Sequence, residues 1–108
     1  MILRLPRQYG LNQSPDIFGM VLAIAESLEA LAKMNSVGGA FERATRLFAA
    51  ASVLREAISF AMTSAESEES DRDVAAILVQ LNEAAFAAEQ AAGWAMTMEQ
   101  AVAFALRD

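Results

Sequence analysis

Between Ala40 and Met62 the chain reads AFERATRLFAAASVLREAISFAM, without Gly or Pro and with an unbroken helical period. Leu47, Ala51, Leu54, Ile58 and Ala61 recur at steps of three and four, which sets them on one face of an α-helix. Glu42, Arg46, Ala49, Ser52, Glu56 and Ser59 fall towards the opposite face. Ala44 and Phe48 widen the apolar side, so this helix is expected to touch more than one neighbour. A helix of about twenty residues spans roughly 30 Å, long enough for every other segment to pack along it.

The segment before it is also helical. Ser14 can accept from free backbone N–H groups, Pro15 suits the first helical position, and Asp16 complements the positive helix end. The pattern predicts a helix over Pro15–Met34. Its second half is amphipathic, with Glu26, Glu29 and Lys33 outside and Ala25, Leu28, Leu31 and Ala32 inside. Glu29 and Lys33 are spaced for an i,i+4 pair. Asn35–Gly39 holds two glycines and reads as the turn of an antiparallel αα-hairpin.

Downstream, Thr63–Asp73 is rich in Ser, Glu and Asp and reads as a solvated linker; it lacks the spacing and turn glycine of an EF-hand loop. Ser70 and Asp73 are spaced to cap a third helix carrying Val74, Ile77, Leu78 and Leu81. Asn82 kinks or restarts it, and Gly93 ends it. Thr97 and Gln100 form a capping box for a last helix over Met98–Leu106. The expected organisation is an N-terminal extension at 1–13, a helical hairpin at 14–62, an acidic linker at 63–73 and a C-terminal helical cap at 74–108. The fold class is all-α, with about five helices. Only two Pro and five Gly interrupt a chain whose apolar excess is largely alanine, the strongest helix former.

Composition narrows function by exclusion. A net charge of −6 leaves no basic footprint for nucleic acid or an anionic membrane surface. With neither Cys nor His, the chain lacks the usual zinc ligands, a thiol nucleophile and the commonest general base. No phosphate-binding glycine loop or serine nucleophile elbow occurs. The expectation is a non-enzyme with no cofactor and no metal. The longest apolar run, Ile17–Ala25, is shorter than the roughly 20 residues of a membrane span. The N-terminus does not read as a signal peptide, which points to a cytoplasmic protein.

The anomaly is that same run. IFGMVLAIA is apolar on all sides, so it is expected to be covered by more than the hairpin. Ile17, Phe18, Met20, Val21, Leu22 and Ile24 are therefore the candidate interaction surface. A protein partner or a second copy would cover them, giving a homodimer in isolation, unless residues 1–13 fold back. Charged residues in place of Val21 and Leu22 are expected to dissociate such a dimer. A second possibility is a small apolar ligand held between helices by Met and Phe side chains. The six Met are otherwise read as core, Trp94 as an anchor pinning the last helix to the hairpin, and Arg43, Arg46 and Arg55 as a solvated face in which Arg46 pairs with Glu42.

Leu28, Leu31, Ala32, Gly39, Ala44, Phe48 and Ala51 are spaced as in a tetratricopeptide repeat, which they resemble; Asn35 and Glu56 depart from that pattern. LAKMNSVGGAFERATRLFAAASVLREAI and LNEAAFAAEQAAGWAMTMEQAVAFAL, in that order, resemble the C-terminal end of large bacterial regulators. Those regulators combine an NB-ARC-type signalling ATPase with helical repeats and a LuxR-type DNA-binding or adenylate-cyclase domain. The resemblance spans residues 25–107. It rests on Ala44, Leu47, Ala50, Ala51, Leu54, Arg55 and Glu56. It rests further on Phe86, Gly93, Met96, Thr97, Glu99, Ala101, Val102, Ala105 and Leu106. The linker without prolines and Asn82 in place of a glycine depart from it. The resemblance implies a tetratricopeptide-like scaffolding or interaction region of a transcriptional or signalling regulator, without the ATPase or output activity.

Overall fold

A computed structural model of the chain describes residues 15–107. These form five helices and no strand: α1 (Pro15–Val37), α2 (Phe41–Ala57), α3 (Ser64–Gln80), α4 (Glu83–Trp94) and α5 (Met98–Leu106). The expected extension at 1–13 and the Ser14 cap lie outside the described residues.

The α1 and α2 helices form the antiparallel hairpin. Gly38 and Ala40 N–H groups donate to Met34 and Asn35 carbonyls, and Gly39 takes φ 87°, the left-handed conformation that only glycine adopts cheaply. Val21, Ala25, Leu28 and Ala32 of α1 meet Leu47, Ala50, Ala51 and Leu54 of α2, with Ala101 of α5 closing the cluster. Fully burying each Leu or Val contributes roughly 1.5–3 kcal/mol.

The C-terminal end of α2 differs from expectation. It stops at Ala57 rather than Met62. The Ser59 N–H donates to Glu56 O at 3.0 Å, and the Phe60 N–H to Arg55 O at 2.9 Å. This is a Schellman stop, and it requires Ser59 at φ 53°, a place where glycine is usual. Ala61, expected on the helix face, is therefore exposed beyond the helix.

The acidic stretch is a helix rather than a linker. Thr63 accepts from the Glu66 N–H at 3.2 Å, and its own N–H donates to Glu66 Oε1 at 2.9 Å, so the capping box opens at Thr63 instead of Ser70. Glu66 then stands in the first turn, at the positive end of the helix, where a carboxylate is favourable. Lys33 fastens this turn to α1 through Glu69 and Asp73. Of α3 only Ile77 is buried.

Asn82 restarts the chain, accepting from the Ala85 N–H at 2.7 Å. Gly93 does not end α4; it lies buried inside it. A Cβ there would sit 2.7 Å from the Ala49 Cβ and against the Arg46 carbonyl, so the absence of a side chain is what lets α4 close on α2. Ala49, assigned to the polar side of α2, is buried by this contact. The α2 helix thus lies between α1 and α4, its two main neighbours. The predicted Thr97–Gln100 box opens α5, with bonds of 2.9 and 3.0 Å.

Candidate functional site

The arginines expected on a solvated face are structural. Arg55 is only 6% exposed and bonds Glu29 through two nitrogens, at 2.6 and 2.9 Å. These bonds hold its guanidinium above its ordinary pKa, against the opposing effect of burial. Glu29 is thereby turned across to α2 and does not pair with Lys33. Arg46 bonds Glu89 of α4 rather than Glu42. Arg43 Nη2 donates to the carbonyls of Phe104, Ala105 and Arg107, satisfying the free end of α5. Arg43, Arg46 and Arg107 also surround the Phe104 ring, 4.7, 5.0 and 5.4 Å from its centroid.

Two acidic groups at the start of α3 are held below the usual carboxylate range. For Glu66 the main cause is the Thr63 backbone N–H, and for Glu69 it is the hydrogen bond from Lys33. These are capping and fastening roles. Among the described residues no three His, Cys, Asp or Glu side chains are grouped to hold a metal.

The six residues of the candidate surface do not share one fate. Val21 is fully buried in the hairpin core. A charge there would unfold the monomer rather than dissociate a complex. Phe18 packs edge-on against Phe60, with ring centroids 5.4 Å apart. Ile17 and Ile24 lean on the core, Leu22 is half-buried, and Met20 is exposed. The chain's own α5 and the Schellman turn cover part of this run.

What stays open is the face of α1 turned away from α2. Gly19, Met20, Ala23, Ser27, Ala30, Met34 and Val37 are all exposed. At about 100° per residue they fall in one sector roughly 100° wide. From Gly19 to Val37 that sector holds no charge. Met34 and Val37 are 68% and 90% exposed. Beside it Met20, Ile24, Leu31, Val102 and Leu106 line an apolar groove of about 320 Å³ between α1 and α5. Leu106 stands 80% exposed at its edge.

The far side of the stack repeats this. Ala84, Ala87, Ala88, Ala91 and Trp94 are exposed on the face of α4 opposite α2, again without a charge among them. Trp94 is 47% exposed and so is no buried anchor for the last helix. Small residues let a neighbouring helix approach closely, and the larger ones at the margins supply contact area.

The signal for these faces was present in the sequence as uncharged steps of three and four. It was masked because alanine and serine carry little hydropathy. No family model matches the chain, and no curated protein or solved structure matches it significantly. No described helix is long and apolar enough to cross a membrane.

Proposed function

We propose that this chain is a non-catalytic protein–protein interaction module of the helical-repeat kind, tetratricopeptide-like in its hairpin. The observation that carries this is the pair of uncharged, exposed faces on opposite sides of the α1–α2–α4 stack. Helical-repeat arrays need polar outer faces on their terminal repeats to stay soluble. A stack with bare alanine and methionine at one end and bare alanine and tryptophan at the other has the character of an internal piece. Its partner is another helix with small uncharged residues, supplied by a neighbouring repeat or by a second copy. The resemblance to the helical tails of multidomain regulators fits a scaffolding role of this kind.

The absence of Cys from the chain allows a single spin label to be placed cleanly. A label at Glu83→Cys, on the margin of the α4 face, should broaden amides of Met20–Val37 or Ala84–Trp94 in an unlabelled, isotope-enriched second copy. No intermolecular broadening at high concentration, or broadening confined to the acidic turns of α3, would contradict the proposal.

A further inference from the structure

On the side of the hairpin covered by α3, the packing is open. A cleft of about 540 Å³ lies between the end of α2, the Schellman turn and α3. Clefts of about 230 and 190 Å³ continue from it under α3, and all three share Phe48 and Ser70. The largest is in the size range of small-molecule sites, which are apolar with a few placed polar groups. Phe48, Phe60, Ala61 and Met62 supply the apolar wall, and Ser52 and Ser59 add hydroxyls.

Arg55 also lines the cleft, with its side chain 93% buried, as 7% is exposed. Glu29 occupies Nε and Nη2, while buried Nη1 has no hydrogen-bond partner among the described residues. A buried donor without an acceptor is costly, so an acceptor delivered there gains more than one delivered to solvent. We propose that this cleft binds a small, uncharged, mainly apolar molecule that offers one carbonyl or ether oxygen to Arg55 Nη1. The charges select a neutral ligand. Glu29 already balances Arg55, and Glu56 on the wall and nearby Glu26 and Glu66 oppose an added anion. A cation would face the guanidinium. Binding requires a small adjustment of α3, which Ile77 and the Lys33 ion pairs hold with few buried contacts.

The 540 Å³ cleft shares no lining residue with the stacking faces, so either reading can fail alone. The test uses the full chain and two uncharged dyes, prodan, which carries a ketone, and phenylnaphthylamine, which does not. Prodan should bind saturably with a blue-shifted emission. Ser52→Phe, which fills the cleft from an exposed α2 position, should abolish binding of both dyes. The paired variant Glu29→Leu, Arg55→Met should weaken prodan about tenfold, the scale of one hydrogen bond from a charged donor, and leave phenylnaphthylamine nearly unchanged. Ala23→Glu, Ala88→Glu, on the two stacking faces and outside all three clefts, should change neither dye. Far-UV circular dichroism confirms that each variant is folded. The proposal is overturned if prodan shows no saturable binding, if folded Ser52→Phe retains it, or if the paired variant weakens both dyes equally.

Discussion

Replacing Glu29 with Ala leaves the guanidinium of Arg55 charged and buried with no counter-ion. The two side chains are 7% and 12% exposed, and two bonds of 2.6 and 2.9 Å join them across the hairpin. Arginine cannot escape by losing its proton. The variant must draw water into the hairpin or expose its core, and breaking a buried pair in this way costs about 3–5 kcal/mol. Domains of this size are stable by only about 5–15 kcal/mol, so the midpoint of thermal unfolding should fall by more than about 10 °C. Glu29→Leu with Arg55→Met removes both charges and restores apolar packing. It should come within about 1 kcal/mol of wild type or exceed it. Urea unfolding followed by circular dichroism measures both. The Lys33–Glu69 pair is the control: its side chains are 39% and 52% exposed, and Lys33→Ala should barely move the curve. If Glu29→Ala is as mild as Lys33→Ala, the assignment of Arg55 as a buried cation held by Glu29 is refuted.

Three other changes follow from particular contacts. Gly93→Ala gains about 1 kcal/mol of helix propensity but drives a methyl into Arg46 and Ala49, at a cost of about 3 kcal/mol, for a net loss near 2 kcal/mol in urea unfolding. Ser59→Gly relieves about 1–2 kcal/mol at a positive φ and loses about 0.4–1 kcal/mol to unfolded-chain entropy, so calorimetry should show a gain of about 0.5–1 kcal/mol. Glu66 and Glu69 have folded pKa values held down, so their contribution is present above the usual carboxylate range and disappears as pH falls through the depressed values. Stability measured against pH should therefore decline on the acid side, and Glu66→Gln with Lys33→Met should flatten that decline.

Legibility in the sequence followed the size of the side chains. Leu28, Leu47 and Leu54 are large and periodic, and they marked the α1–α2 interface correctly. Thr97 and Gln100 marked the start of α5 because nothing nearby competes for the cap. Ser70–Asp73 had capping spacing, but Thr63 with Glu66 closes a reciprocal box seven residues earlier, and Lys33 on another helix pairs with the Glu69 and Asp73 that this start places in the helix. Arg55 looked solvent-exposed because its partner, Glu29, is distant in sequence and sat at i,i+4 from a lysine. Ala49 and Gly93 carry little hydropathy, yet their smallness sets the closest helix contact. The outer faces of α1 and α4 are faint in the sequence for the same reason, whereas the bulky side chains of Ile17–Ile24 give a strong signal although several of them are partly internal.

The mass in solution, followed by light scattering as concentration rises, tests the stacking claim most directly. Wild type should grow beyond the monomer mass, and Ala23→Glu with Ala88→Glu, which charges both faces, should hold it monomeric at unchanged helix content. A wild-type chain that stays monomeric throughout, or a charged variant that associates as readily, would contradict the account.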